Sequence, residues 1–202
     1  MSTPPKSYLT EEQYLEIERK AEYKSEYFQG EMFAMAGARW THNLLVGNAY
    51  FALRQQLGKR PCTVVSNDMR VRVNPSGLYT YPDVVVVCDE PQFADERRDT
   101  LLNPTLIVEV LSESTEAYDR GQKFELYRPL ESLSEYLLVS SERVSAELFA
   151  RQPDGRWLLT AVSRLEDSLD LQSAGCRLAM ADLYERVEFV SPPPPAMRPR
   201  IS

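Results

Sequence analysis

Two acids stand where a carboxylate is expensive. Asp83 follows Pro82 and opens a run of four valines, and Glu109 is flanked by Ile107, Val108, Val110 and Leu111. An ionised carboxylate in such a strand loses several kcal/mol of solvation unless a cation or hydrogen-bond donors compensate, roughly as for any buried charge. Strand side chains alternate, so Glu109 shares a face with Ile107 and Leu111, and Asp83 shares one with Val85 and Val87. If the two strands are neighbours, both acids project from one sheet surface towards one point. Converging carboxylates with few other polar neighbours favour a hard, oxygen-loving cation such as Mg²⁺ or Mn²⁺. The bland alternative is a buried ion pair of Glu109 with Arg120 or Lys123. Lys123 is the candidate third member, since Asp119, Lys123 and Tyr127 follow at i, i+4 and i+8 on one helix face. Near the two acids, Lys123 would hold a nucleophilic water or an attacked phosphate; away from them it is a solvated partner of Asp119.

The elements that must position these groups are legible in outline. Thr10 followed by EEQYLEIERKAEY reads as an N-capped helix with acids in its first turn. SEYFQGEMFAMAG reads as a hairpin turning at Gly30. A second helix runs from about Thr41 to Leu57, with Leu44, Leu45, Phe51, Ala52 and Leu53 at helical spacing and Gly58 just beyond. CTVVS and MRVRV are short strands interrupted near Asn67 and Asp68, and Asn74, Pro75, Ser76 and Gly77 form a turn cluster. DVVVVC and LIVEVL are continuous apolar runs suited to strands buried on both faces, joined by the polar loop DEPQFADERRDT. Residues 115–128 form a third helix, stopped by Pro129. EYLLVS is a further buried strand, and VSAELFAR and RWLLTAV make a hairpin around Asp154 and Gly155. A short strand, a helical turn at Met180 to Tyr184 and a tail complete the chain. The expected class is α/β, a mixed sheet with helices on its faces. Residues 1–190 are expected to form one domain, and the proline-rich residues 191–202 a disordered extension.

Several of these segments together resemble a known family. YPDVVVVC, LLNPTLIVEVLSEST, EAYDRGQKFELYR and EYLLVS, with KSEYFQGEMFAMAGA and HNLLVGNAYFAL before them, are similar to the Uma-type restriction endonucleases of the PD-(D/E)xK nuclease superfamily. The resemblance runs from about Tyr8 to about Arg164. It implies a restriction-endonuclease-like fold, with a mixed four-stranded sheet flanked by helices, and a divalent-metal phosphodiesterase site acting on DNA. Pro82-Asp83 matches the PD element and Glu109 the acid of the (D/E)xK element. The lysine expected two residues after Glu109 is Leu111 here, and Lys123 matches the displaced lysine of the Uma-type pattern. Glu26 matches a recurrent family acid, which would add a metal ligand or hold a metal-bound water; its alternative is a hairpin-edge pair with Lys24. His42 could donate to a phosphate or serve as a polar helix-start residue, and Tyr127 could bond Lys123 or fill core space. Asp68 with Arg70 and Arg72 could line a substrate groove, or be a strand-to-strand turn. The Arg97-Arg98 pair could touch a nucleic-acid backbone, or be a solvated loop. A homodimer is expected, with the second hairpin's Leu148, Phe149, Trp157, Leu158 and Leu159 covering either the core or a partner. The rival class is a catalytically inactive member that binds nucleic acid or assembles.

Composition narrows the field further. The 202 residues carry a net charge of −7, with 30 acids against 23 bases, and the pI is near 4.9. A whole-molecule basic footprint for nucleic acid is thus absent, and binding must rely on a local patch. One histidine excludes chemistries that need two or three, most zinc hydrolases included. Cys62, Cys88 and Cys176 are odd in number and lack CxxC spacing, so neither a disulfide framework nor a zinc knuckle is expected, and Cys88 reads as a small buried hydrophobe. No apolar run is long enough for a membrane span and the N-terminus lacks a signal-peptide core, so the expected compartment is the cytoplasm.

Overall fold

The structure, a computed structural model, describes residues 8–58, 60–74 and 76–189. The expectation of a disordered proline-rich extension at 191–202 lies outside the described residues. The N-terminal helix α1 spans Glu11–Glu18, and its capping box joins Thr10 and Gln13 reciprocally. Strands β1 (Ser25–Phe28) and β2 (Glu31–Ala34) form the expected hairpin. Its turn places Gln29 and Gly30 at positive φ, and a Cβ on Gly30 would lie 2.7 Å from Tyr8 Cβ, so glycine is needed there twice over. Helix α2 is Trp40–Leu57. Its buried face is Leu45, Val46, Ala49, Ala52, Leu53 and Leu57, whereas Phe51, expected in that stripe, is exposed, and Leu44 is half-buried. The helical period of the buried set passes one position to the side of Phe51.

Strands β3 (Thr63–Ser66), β4 (Arg70–Val73), β5 (Leu78–Thr80), β6 (Val84–Val87), β7 (Thr100–Leu101) and β8 (Leu106–Leu111) follow. CTVVS and MRVRV do form strands, but they enter different sheets. β3 pairs with β6, while β4 pairs with β5 and β7. The polar segment before β8 is not wholly loop, because Thr100 and Leu101 add a short parallel strand beside β4. Beyond β8, residues 115–128 do not make one regular α-helix. Short α3 (Glu116–Tyr118) passes into a π-helical turn at Asp119–Lys123 and then into α4 (Phe124–Tyr127). The chain continues as β9 (Glu135–Ser140), the hairpin β10 (Ala146–Arg151) and β11 (Trp157–Val162), a further hairpin β12 (Ser168–Leu171) and β13 (Cys176–Ala179), and α5 (Met180–Leu183). That last hairpin replaces the single short strand expected there.

Three sheets result, ordered β2-β1-β5-β4-β7, β11-β10-β9-β8-β6-β3 and β12-β13 among the described residues. The six-stranded sheet is the mixed centre: β8 and β9 run parallel and its other pairs antiparallel. It is wider than the four-stranded sheet that the resemblance implies. One face packs Val84, Val86, Val108 and Val110 against α2, β13 and α5. The other packs Val85, Ile107 and Leu111 against Val71, Leu78, Phe124 and Tyr127. β6 and β8 are buried on both faces, as their unbroken apolar runs require.

One expectation about cysteine is overturned. Cys62 and Cys88 form a disulfide, and Cys176 is free. They extend the antiparallel β3–β6 register by one residue, Thr63 facing Val87, and so stand opposite each other. Nothing in their sequence spacing shows this, because only the strand pairing brings them together.

Candidate active site

The antiparallel register of β6 and β8 sets Val84 opposite Val108. Extended by one residue, it sets Asp83 opposite Glu109, and cross-strand neighbours share a face. The Val110 N–H donates to Asp83 Oδ2 at 2.8 Å, and His42 Nε2, from the first turn of α2, lies 3.3 Å from the same oxygen. Glu109 is only 4% exposed. Its Oε1 receives Lys123 Nζ at 2.9 Å and the Tyr127 hydroxyl at 3.1 Å. Each acid is therefore held through one oxygen, while Asp83 Oδ1 and Glu109 Oε2 carry no hydrogen bond among the described residues.

Lys123 is equally buried, at 4%. Besides Glu109 it meets Glu26 Oε1 at 3.3 Å and Asp119 Oδ1 at 3.4 Å. Glu26 arrives from β1 and also accepts from the Thr80 and Tyr118 hydroxyls. The backbone that delivers Lys123 is the π-helical turn, a rare conformation often found at functional sites. Tyr136 donates to the Asp119 carbonyl at 3.1 Å and so ties this turn to β9.

Charge is unbalanced in this cluster. Asp83, Glu109, Asp119 and Glu26 face one lysine and one histidine. Burial pushes Glu109 up to about 8; Asp119 and Asp83 add to that rise and Lys123 opposes it. Burial also raises Asp119 against the pull of Lys123. Burial alone would lower Lys123, but Glu109, with Tyr127, Glu26 and Asp119, holds it well above its ordinary value, so it stays cationic. Burial disfavours the His42 cation as well, yet Asp83 outweighs it and the net direction is upward.

The sequence-derived candidates converge. Asp83 and His42 form one contact group and Glu109, Lys123, Glu26 and Tyr127 a second, and the β6–β8 register sets the two side by side. The solvated Asp119–Lys123 pair is excluded, because both side chains are buried. Glu26 does not pair with Lys24, which reaches Asp68 instead. Arg120 turns to Glu116 and Glu147, away from Glu109. The imagined groove of Asp68, Arg70 and Arg72 does not form. Arg70 is buried against Tyr81, Thr100 and Asp99, and Arg72 pairs with Glu11. Arg98 stacks on Phe93. Sequence reasoning missed Asp119 as a site residue, although its i, i+4 spacing from Lys123 was visible. It also missed Thr80 and Tyr118, for which no local signal exists.

A family model described as "Putative restriction endonuclease", Uma2, matches residues 11–181. The chain belongs to the Uma2 family. Two proteins of the cyanobacterium Synechocystis sp. (strain PCC 6803) are similar to this Uma2 chain. One, sll1609, is 41% identical over 75% of this chain and 86% of its own length. The other, slr1290, is 37% identical over 90% of this chain and 94% of its own length. Among solved structures, a protein of Anabaena variabilis ATCC 29413 described as a "putative nuclease belonging to DUF820" superposes with a TM-score of 0.70. That match covers 86% of this chain and 96% of the other at 14% identity, a likeness of fold. No helix among the described residues of this Uma2 chain is long and apolar enough to cross a membrane.

The site can be tested for a divalent cation by its donors. Among the described residues no group of three or more His, Cys, Asp or Glu side chains forms a cation cage. Mg²⁺ does not require one, since it commonly uses one or two carboxylates and completes its shell with waters and substrate phosphates. The two unengaged carboxylate oxygens and the local excess of acids fit that demand.

Proposed function

We propose that this Uma2 chain is a nuclease that hydrolyses DNA phosphodiester bonds with the help of Mg²⁺ or Mn²⁺. Asp83 and Glu109 would hold the ion, through the oxygens that the protein itself does not engage. Bound there, a divalent ion supplies charge neutralisation at the phosphate and a more acidic water. Lys123 keeps its proton and presents it at Nζ, where it can orient a water or stabilise negative charge on the attacked phosphate. Tyr127 fixes Glu109 by its hydroxyl. Glu26 and Asp119 keep Lys123 in place, and His42 with the Val110 N–H fixes the orientation of Asp83.

The observation that carries this reading is the contact of Lys123 Nζ with Glu109 Oε1 at 2.9 Å. It supports Lys123 as the functional substitute for the lysine missing at position 111. Plasmid nicking with Mg²⁺ or Mn²⁺, run beside the Asp83→Ala protein, tests it. Metal-dependent nicking that the variant lacks supports the reading, and equal nicking by both proteins rejects it.

A second reading is an inactive member that binds nucleic acid or assembles. It is favoured by the three carboxylates around Lys123, which already satisfy that cation without substrate. Absence of nicking with retained DNA binding would select it. Either reading accommodates a homodimer. β11 is an edge strand whose Leu158 and Leu159 are exposed, while Trp157 turns inward to Phe124, so the hairpin covers the core and leaves part of itself for a second copy.

A further inference from the structure

The acids of this chain are unevenly distributed. Residues 32–67 contain no Asp or Glu, although the chain holds 30 acids, and they carry Arg39, Arg54, Lys59 and Arg60. Most of that stretch is α2 and the segment leading into it. Along α2, Trp40, Asn43, Gly47, Phe51 and Arg54 are all exposed. They follow at intervals of three and four, so they form one stripe opposite the face buried on the sheet. Trp40 is 81% exposed and Phe51 66%. Between them Gly47 adds no bulk, and a Cβ there would meet nothing within 4 Å. From Trp40 to Phe51 the helix rises about 16 Å, at ~1.5 Å per residue. The stripe starts at the same end of α2 as His42, whose Nε2 is 3.3 Å from Asp83 Oδ2. Two residues on is about 200° round the helix, so His42 enters the site from the inner face while Trp40 faces outward.

Two large aromatic rings held in water are costly to leave bare, and they sit on the acid-free element of an otherwise acidic protein. The complementary ligand is therefore flat, partly apolar and negatively charged. A base-paired duplex hides its base faces within the stack, whereas an unpaired strand can lay them on aromatic rings while its phosphates meet arginine. We infer that the exposed stripe of α2 is a track for unpaired DNA, with Trp40 and Phe51 as stacking platforms and Arg54 as the phosphate contact. Arg39, before the stripe, lies 3.8 Å from Glu113 Oε2, an exposed pair that a phosphate would have to displace. The inference rests on the nuclease reading for its role, since the stripe begins at the end of α2 that carries His42, but the binding it describes needs no cleavage.

The test uses the full chain in EDTA, so that cleavage does not enter. Oligo-dT is titrated against it beside the same strand annealed to oligo-dA, with fluorescence polarisation and tryptophan emission as readouts. The expected result is tighter binding of the single strand, with quenching of Trp40 emission. Trp40→Ala should abolish the quenching and weaken binding about tenfold, and Trp40→Phe should keep much of the affinity. Arg54→Glu should weaken binding and flatten its dependence on salt. Equal or better binding of duplex, or unchanged binding in Trp40→Ala, would overturn the inference. So would light scattering that shows the stripe buried in a dimer lost on Trp40→Ala. Nicking is assayed separately. Strand binding without any nicking leaves the track in place and removes the nuclease reading. Duplex nicking unaffected by Trp40→Ala, with no preference for unpaired strand, does the reverse.

Discussion

Lys123 Nζ lies 2.9 Å from Glu109 Oε1, and each side chain is almost wholly removed from solvent. One residue comes from the central strand β8, the other from a π-helical turn fourteen residues further along the chain. Their pairing compensates two desolvations that neither could bear alone.

Replacement of Lys123 should therefore affect more than an exposed pair would. Lys123→Ala is expected to destabilise the fold by roughly 3–5 kcal/mol, as removal of one partner of a buried pair does, against at most about 1 kcal/mol for a solvated pair. It should also abolish nicking, and urea denaturation beside the plasmid assay checks both. Leu111 shares the strand face of Glu109, so Leu111→Lys added to Lys123→Ala should restore some nicking. Full activity in the single variant would remove Lys123 from the mechanism.

Metal should stabilise the fold through Asp83 and Glu109. At a hundredfold excess over its dissociation constant, an ion bound only to the native state adds about 2.7 kcal/mol, or roughly 5–10 °C in Tm for a chain of this size. Thermal melts of metal-stripped protein with Mn²⁺ should show that rise in the parent and lose it in Asp83→Asn and Glu109→Gln. An unchanged parent Tm would reject the site.

Acid should loosen the N-terminal helix first. Hydrogen bonds from Arg19, aided by the charge of Arg70, outweigh burial and hold Asp99 at about 2 against an ordinary 3.8. A depressed carboxylate stabilises the fold above its unfolded value, and that contribution is lost as pH falls from about 4 through 2. Denaturation midpoints should therefore drop across this window in the parent protein and drop less in Arg19→Gln. Equal slopes would show that the Arg19–Asp99 contact does not set the acid response.

A homodimer should scatter light at twice the 23.1 kDa of the chain. Leu158→Lys places a charge on the β11 edge and should return the monomer mass without unfolding the protein, as circular dichroism would report. The monomer mass at every concentration in the parent would reject dimerisation.

Thiol titration of denatured, unreduced protein should find one reactive cysteine, Cys176, and three after reduction. The Cys62–Cys88 link closes a separation of 26 residues, so Cys62→Ser should lower stability by roughly 3–4 kcal/mol on chain-entropy grounds. Three reactive thiols before reduction would show that the bond is not formed.

Sequence alone determined the elements whose signals are local. The N-cap at Thr10, the glycine turn at Gly30, the doubly buried runs 84–87 and 106–111 and the hairpin around Gly155 each follow from residues within a few positions of one another. It also marked Asp83 and Glu109, because a carboxylate in a valine-rich strand is conspicuous wherever that strand goes. What needed the tertiary structure was every decision about proximity. The register of β6 on β8 put the two acids opposite each other, and the π-helical turn carried Lys123 inward instead of leaving it in solvent with Asp119. The β3–β6 pairing brought Cys62 to Cys88, and the separate pairing of β4 with β5 and β7 sent Arg70 to Tyr81 and Asp99. Side-chain type is a property of one position, but burial and partnership are properties of packing between segments distant in the chain. Lys123 reads the same in sequence whether it faces water or Glu109.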